Sequence, residues 1–363
     1  MPLRPPFLLV VTLFASTVFG QSETRPRIRP LPKQSLNAKS GPAVGSPLPA
    51  FEAMDAEGKK QTFETLKGPK GLVLAFQRSA DWCPYCKTQL VDLNSKLEDF
   101  RKKGMNVVSL TYDSAAVLQN FAARQNIKFV MLSDPESKVI RTFDILNTNV
   151  EPGTPQYGIP FPGTYVVNQK GIITAKYFSE DYTERYSAAS ILTREYGVDG
   201  VLKETVETPQ LKLTYSASDS TLAPGRRVTL IIDVQAKPKM HVYAPGVEHY
   251  IPIDWEMKES KYWVALPAAY PASRMLNLPV IKETVPVFDG KFRIVRDVAI
   301  GLESELAPAF EAERTLAIEG TFRYQACDDK ECYLPKTLPL KWTFPVGKLD
   351  TQRVPEPLQR KPK

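Results

Sequence analysis

Cys83 and Cys86 stand three positions apart in Ser79-Ala-Asp-Trp-Cys-Pro-Tyr-Cys-Lys87. The apolar run Gly71-Leu-Val-Leu-Ala-Phe76 precedes them, and Leu90, Leu93, Leu97 and Phe100 follow at helical spacing. The pattern predicts a strand, a turn bearing both cysteines, and a helix. Unpaired N–H groups and the macrodipole at a helix start stabilise a negative sulfur. A thiol there falls below its free pKa of about 8.5, and the thiolate is the nucleophile. Pro84 suits a first helical turn, where its missing N–H costs nothing. On this reading Cys83 is the more exposed attacker, and Cys86, one turn in, resolves the mixed disulfide. Zinc needs four ligands, whereas the chain holds four Cys and two His spread far apart. A purely structural bridge is the other rival.

Strand, Cys-x-x-Cys turn and helix, with Trp82 directly before Cys83, resemble the active-site layout of thioredoxin-like redox proteins. Residues 46–200 read as alternating strands and helices. A hairpin is expected over 49–65, strands near 72–77, 105–112 and 129–133, and helices over 84–103, 115–125, 138–143 and 183–196. A second hairpin spans 164–168 and 172–177. Such an order implies an α/β domain, a mixed sheet with helices on both faces. Thioredoxin-like proteins also carry a cis-proline beside the cysteines, just before a strand. Pro162, followed by Gly-Thr-Tyr-Val-Val, matches that position, with Pro160 as the alternative. It would present a backbone edge to an extended substrate near Cys83, with Trp82, Pro84 and Tyr85 as the other substrate contacts. Together these motifs resemble the alkyl hydroperoxide reductase and thiol-specific antioxidant group of redoxins. A typical peroxiredoxin has Pro and Thr seven and three residues before its reactive cysteine, where Phe76 and Ala80 stand here. Thioredoxins often bury an Asp six residues before it, where Gln77 stands.

Residues 1–20 read as a secretory leader: Arg4, an apolar run over 7–19, and small Val18 and Gly20 at the cleavage positions. The run falls short of the ~20 apolar residues of a membrane span. Residues 21–45, rich in Pro, Ser, Lys and Arg, read as a disordered linker. The expectation is an exported, periplasmic protein whose disulfides persist. Secretion or an uncleaved N-terminal anchor are the alternatives. The net charge of +7 is modest for 363 residues, and its basic residues are scattered or terminal, so no nucleic-acid role is expected.

Beyond a linker over 201–210, helical periods give way to short β-rich runs between Pro and Gly turns. About seven strands over 211–346 suggest a β-sandwich, with a flexible tail over 347–363. Cys327 and Cys332 lie here, in Tyr324-Gln-Ala-Cys-Asp-Asp-Lys-Glu-Cys-Tyr-Leu-Pro335. A bridge this short adds little stability in the entropy model. A labile small-loop disulfide is of the kind that exchange chemistry uses. Tyr324-Gln325, Cys327, Cys332-Tyr333 and Pro335 resemble the N-terminal domain of the thiol:disulfide interchange protein DsbD. The family's loop is one residue longer, and its membrane-spanning middle is absent here. The resemblance implies an immunoglobulin-like fold that passes electrons between thioredoxin-like and periplasmic partners. Within His241-Val-Tyr243-Ala-Pro245, which resembles that family's aromatic segment, Tyr243 is a substrate contact. His241 and His249 are expected to be packing or surface residues.

The leading expectation is a thiol–disulfide oxidoreductase with Cys83, Cys86, Cys327 and Cys332 as its reactive groups and no metal or organic cofactor. Its partners would be protein thiols and disulfides and a membrane electron donor of DsbD type. The second pair either relays electrons to the first or serves a separate partner. The alternatives are a thiol-dependent peroxidase and a non-catalytic binding protein with structural disulfides.

Overall fold

The computed structural model describes residues 41–179, 181–278, 283–310 and 313–361. The expected leader and most of the 21–45 linker lie outside them. Among the described residues no helix is long and apolar enough to cross a membrane.

The first half begins with strands β1 (Ala53–Asp55) and β2 (Lys60–Gln61), helix α1 (Phe63–Leu66) and strand β3 (Gly71–Phe76). Helices α2 (Pro84–Ser95) and α3 (Leu97–Lys102) follow, then β4 (Met105–Thr111), α4 (Ala115–Gln125), β5 (Val130–Ser133) and α5 (Lys138–Thr142). The half closes with β6 (Gly163–Asn168), β7 (Ile173–Phe178), the short β8 (Arg185–Tyr186) and α6 (Ala188–Tyr196). Seven strands form one mixed sheet in the order β2-β1-β5-β4-β3-β6-β7. Every residue of β3 is buried. Leu72, Leu74 and Phe76 join the core on one face, and Val73 and Ala75 the core on the other. A strand covered on both faces has to be continuously apolar, which is why its run stands out in the sequence.

Three expectations change here. The redox helix breaks at Lys96, so 84–103 is two helices, α2 and α3. The last helix begins at Ala188, and residues 183–186 instead form a turn and β8. No peptide bond is cis among the described residues, so Pro162 and Pro160 are both trans. Trans is the lower-energy isomer. Here Phe161 N donates to Ile145 O (2.7 Å) and Gly163 pairs at once with Phe76, so the approach to β6 is already fixed as an extended chain.

The second half comprises β9 (Val201–Glu207), β10 (Leu211–Ala217), β11 (Arg226–Ala236), β12 (His241–Tyr243), β13 (Asp254–Met257), β14 (Trp263–Ala269) and β15 (Arg274–Leu278). It continues with β16 (Glu283–Asp289), β17 (Lys291–Ile300), the single turn α7 (Glu303–Leu306), β18 (Thr315–Tyr324), β19 (Ala326–Cys327) and β20 (Lys336–Pro345). It is β-rich as expected, in three sheets: β14-β17-β11-β10-β9, β15-β16-β12-β19 and β13-β18-β20. Trp255, Trp342, Phe322 and Phe344 are among the buried side chains of its core. Residues 201–207 are an edge strand on β10 rather than a linker. All seven are exposed or half-exposed, and Val201, Leu202 and Val206 fall in no regular alternation, so no apolar face marks them.

The two halves interlock. β8 pairs with the start of β11, Arg185 against Arg226 and Tyr186 against Arg227. Arg226 lies 3.3 Å from Asp92 on α2 and 3.7 Å from Asp219, and Arg227 pairs with Glu184. Ser187 Oγ donates to Asp219 (2.6 Å), and Arg194 reaches Asp297 (3.0 Å). Asp219 is pushed up to about 6 by burial and by the neighbouring Asp92 charge. Gly225 has φ +70°, and a Cβ there would strike the Thr183 carbonyl and the Tyr85 ring.

The expected flexible tail is docked. Arg353 Nε and Nη2 donate to the two carboxylate oxygens of Asp81 (2.8 and 2.6 Å), and Val354 N adds a third bond (2.8 Å). Lys87, whose side chain is fully buried, donates from Nζ to Gln352 O (2.6 Å) and lies 3.6 Å from Asp350. Asp350 also pairs with Arg124 (2.8 Å). Arg360 donates to the carbonyls of Tyr112 and Pro135 and sits 4.3 Å over the Tyr112 ring. From within the first half, buried Asp113 accepts from Ser79 Oγ (2.9 Å) and Ala80 N (2.7 Å). The redox turn is thus held from below by Asp113 and from outside by the tail.

Removing Arg353 leaves the buried Asp81 carboxylate short of two charge-assisted bonds. We expect Arg353→Ala to cost about 1–3 kcal/mol, and a chain stopped after Gly347 to lose more, since Lys87 then loses both tail partners. Urea midpoints of the three proteins check this, and equal midpoints would refute it. Burial pushes Asp113 up to about 6 from 3.8. The native state therefore holds a proton that the unfolded chain has lost between those values, and this contribution to stability is present at low pH and lost as pH rises through 6. The stability of the parent relative to Asp113→Asn should fall by up to about 3 kcal/mol from pH 4 to pH 7. Paired urea titrations across that range read it, and a flat difference would contradict the assignment.

Candidate active site

Cys83 is the N-cap of α2, in extended backbone conformation, with Pro84 at the first helical position. Cys83 and Cys86 form a disulfide with a Cα–Cα distance of 5.3 Å. Cys86 N points at Cys83 Sγ (3.3 Å), as the helix-start argument requires. Thiol pKa values do not apply while the sulfurs are bridged.

Both cysteines are buried, so neither stands open to solvent. Cys83 is 1% exposed and Cys86 0%. Residues 181–186 and the start of β11 pack close to this turn. Tyr182 stacks on Arg78 (4.1 Å), which stacks on Trp82 (4.8 Å). Arg185, itself buried, brings Nη2 to 3.9 Å from Cys86 Sγ. Tyr85 is half-buried beside Gly225. Burial first, then the nearby Tyr182 and acidic side chains, raise the Tyr85 hydroxyl above its ordinary value. Trp82 is tied down by Nε1 donating to Tyr112 Oη (2.8 Å). Gln77, in the place of a thioredoxin Asp, is buried and donates to Gln89 Oε1 (2.8 Å), while its own Oε1 has no partner. The structure therefore gathers Trp82, Pro84 and Tyr85 around the sulfurs. Pro162 is buried ahead of β6, whose first residue pairs with Phe76.

Cys327 and Cys332 also form a disulfide, with Cα atoms 4.0 Å apart. Cys327 is 2% exposed, whereas Cys332 is exposed. Asp328 shapes the loop by accepting from Lys330 N, Glu331 N and Tyr333 Oη, and these bonds hold its carboxyl below the usual range. The Tyr243 hydroxyl lies 3.6 Å from Cys327 Sγ and 3.7 Å from Cys332 Sγ. Tyr250 stacks on it at 4.3 Å. His241 pairs across the strand with Cys327 and is buried, which lowers its pKa. Leu334, next to Tyr333, is 86% exposed.

The two pairs lie at opposite ends of the second half. Near the first pair, Arg185 N donates to Gly225 O, Gly225 N to Gly301 O and Leu222 N to Pro345 O. Pro345 faces Thr315, and from there β18 runs its full 10 residues to Tyr324, just before Cys327. Ten strand residues cover about 30 Å.

Sequence reasoning did not find Arg185, Lys87, Asp113 or Arg353. Arg185 sat inside what reads as a helix start, and Arg353 in a polar tail; neither carries a local signal. No cluster of three or more His, Cys, Asp or Glu able to hold a metal occurs among the described residues.

The AhpC/TSA family profile matches residues 44–176. Peroxiredoxin Q of Sedum lineare chloroplasts is 31% identical over 157 residues, 43% of this chain and 79% of that protein. Thiol-disulfide oxidoreductase ResA of Bacillus cereus is 26% identical over 143 residues, 39% of this chain and 73% of ResA. Alkyl hydroperoxide reductase C of Staphylococcus aureus is 28% identical over 180 residues, 48% of this chain and 89% of that protein. Among solved structures, Enterococcus faecalis AhpC aligns with a TM-score of 0.35 at 22% identity, over 43% of this chain and 96% of that one. With its mixed sheet, its cysteine-capped helix and relatives that are thiol oxidoreductases or peroxidases, the chain belongs, through its first half, to the AhpC/TSA family.

Proposed function

We propose that this protein is an exported thiol–disulfide oxidoreductase that exchanges disulfides through Cys83 and Cys86. The observation that carries the reading is the Cys86 N–H aimed at Cys83 Sγ at a helix start, 3.3 Å away. In the reduced protein that dipole stabilises a Cys83 thiolate. The thiolate attacks one sulfur of a substrate disulfide, forms a Cys83–substrate bond and releases the other substrate sulfur as thiolate. Cys86, as thiolate, then attacks the Cys83 sulfur and frees the second substrate thiol. Two electrons pass to the substrate, and the protein is left with its Cys83–Cys86 bridge. Because Cys83 is 1% exposed, the side chains packed around it have to give way for a protein substrate to reach it.

Cys327 and Cys332 serve a separate partner in this reading. Strand β18, about 30 Å long, runs from the end of the second half that docks near the first pair to the end that bears Cys327, and direct exchange needs sulfur–sulfur contact, so the internal relay is the less favoured of the two roles. The second half resembles the N-terminal domain of DsbD in its Tyr-Gln-x-Cys and Cys-Tyr-x-Pro segments, with an immunoglobulin-like arrangement implied, and a membrane donor of DsbD type would supply the electrons. Cys332, exposed, is the sulfur such a partner would meet. The expected leader over 1–20 supports a periplasmic location. The peroxidase alternative lacks its hydroxyl: Ala80 stands three residues before Cys83, and Phe76 seven before.

Insulin-disulfide reduction with a dithiol donor tests the proposal. Cys83→Ser should fall to the uncatalysed rate, and the double variant Cys327→Ser, Cys332→Ser should keep most of the parent rate. Unchanged turnover in Cys83→Ser sinks the proposal. Abolished turnover in the double variant sinks the separate-partner role.

A further inference from the structure

Burying a guanidinium beside a neutral disulfide costs free energy unless some state of the site uses the charge. Arg185 is such a group. It is 7% exposed, and its Nη2 lies 3.9 Å from Cys86 Sγ. Its Nη1 donates to Glu184 O (2.7 Å), and its Nε is buried with no hydrogen-bond partner. Its backbone is fixed from the other half of the molecule: Arg185 N donates to Gly225 O (2.9 Å), and the residue pairs in register with Arg226. The guanidinium is therefore carried to the sulfur by the docking of β8 on β11.

We propose that Arg185 is the charge partner of the Cys86 thiolate and that, delivered by the second half, it stabilises the reduced Cys83–Cys86 pair. This deepens the exchange function proposed above and rests on it. Reduction by a dithiol breaks the S–S bond and brings two electrons; the donor becomes a disulfide and releases two protons. One is taken up by the pair and the other goes to solvent, leaving one negative charge shared by the two sulfurs. The start of α2 stabilises that charge on Cys83. Arg185 stabilises it on Cys86, the form that attacks the mixed disulfide. Arg78, Asp181, Glu184 and Tyr182 also face the guanidinium; burial and Arg78 bring its own pKa down to about 9, so it stays protonated at pH 7. An opposite charge this close moves a titrating group by about 1–3 pH units.

The test titrates Cys83–Cys86 against dithiothreitol in a background with Cys327 and Cys332 as serine. In Arg185→Gln the equilibrium should move toward the disulfide by about tenfold, which is about 30 mV more negative, while Arg185→Lys should recover part of it. An equilibrium within twofold of the parent in Arg185→Gln would overturn the proposal. A second measurement needs no change at Arg185. With Cys83→Ser in the same background, thiolate absorbance near 240 nm reports the acidity of Cys86. A midpoint 1–3 units below the free value of about 8.5 supports the assignment; a midpoint at or above it, as burial alone gives, overturns it. Both readings are independent of insulin turnover, so failure of this assignment and failure of the proposed activity are told apart.

Discussion

Two residue pairs of backbone, Arg185 against Arg226 and Tyr186 against Arg227, join the halves of this protein. Around that short ladder stand buried charges that need one another: Asp92, Asp219 and Arg226 in one group, Glu184 and Arg227 in another. Charges taken out of water are tolerated only when paired and hydrogen-bonded. The interface is therefore selective rather than merely adhesive. Gly225 allows it to close, because any side chain there would meet Thr183 and Tyr85. Since Asp92 sits on the redox helix and Arg185 against its second cysteine, the second half is a structural part of the first half's site.

The two disulfides are consequently in opposite conditions. The bridge at the helix start is enclosed by the interlock, while the small-loop bridge opens Cys332 to solvent beside exposed Leu334. Access, not sulfur chemistry alone, distinguishes them. Tyr243 is the counterpart of the helix start at the second pair: a single hydroxyl within reach of both sulfurs, steadied by stacking with Tyr250.

Much of this was legible in the sequence where a local pattern exists. The buried strand β3, the cysteine-bearing turn and the helix after it show as a continuous apolar run followed by a helical period. In the second half, the change to short β-rich runs shows because strands such as β18 and β20 alternate in burial over much of their length. Long-range contacts left no such trace. The exposed edge strand β9 has no apolar face to betray it. Residues 183–186 read as the opening of a helix because nothing local reveals that β11 will pair with Arg185 and Tyr186. The near-complete burial of Cys83 left no trace for the same reason: a helix N-cap is open until another part of the chain covers it. Arg353 and Lys87 are joined to their partners by charge and by backbone, which periodicity cannot register.

Arg353 meets Asp81 across 272 positions of sequence. A chain is made from its N-terminus onward, and domains generally fold as they emerge. The redoxin sheet can form early, but its reactive turn gains its tail contacts only later. Until residues 350–360 have been synthesised, the Asp81 carboxylate and the Lys87 ammonium have no tail to bind, and Arg185 has no strand to fix it beside Cys86 until β11 arrives. A stretch made late thus completes the first site begun, so a chain released before it carries the sulfurs without their finished setting.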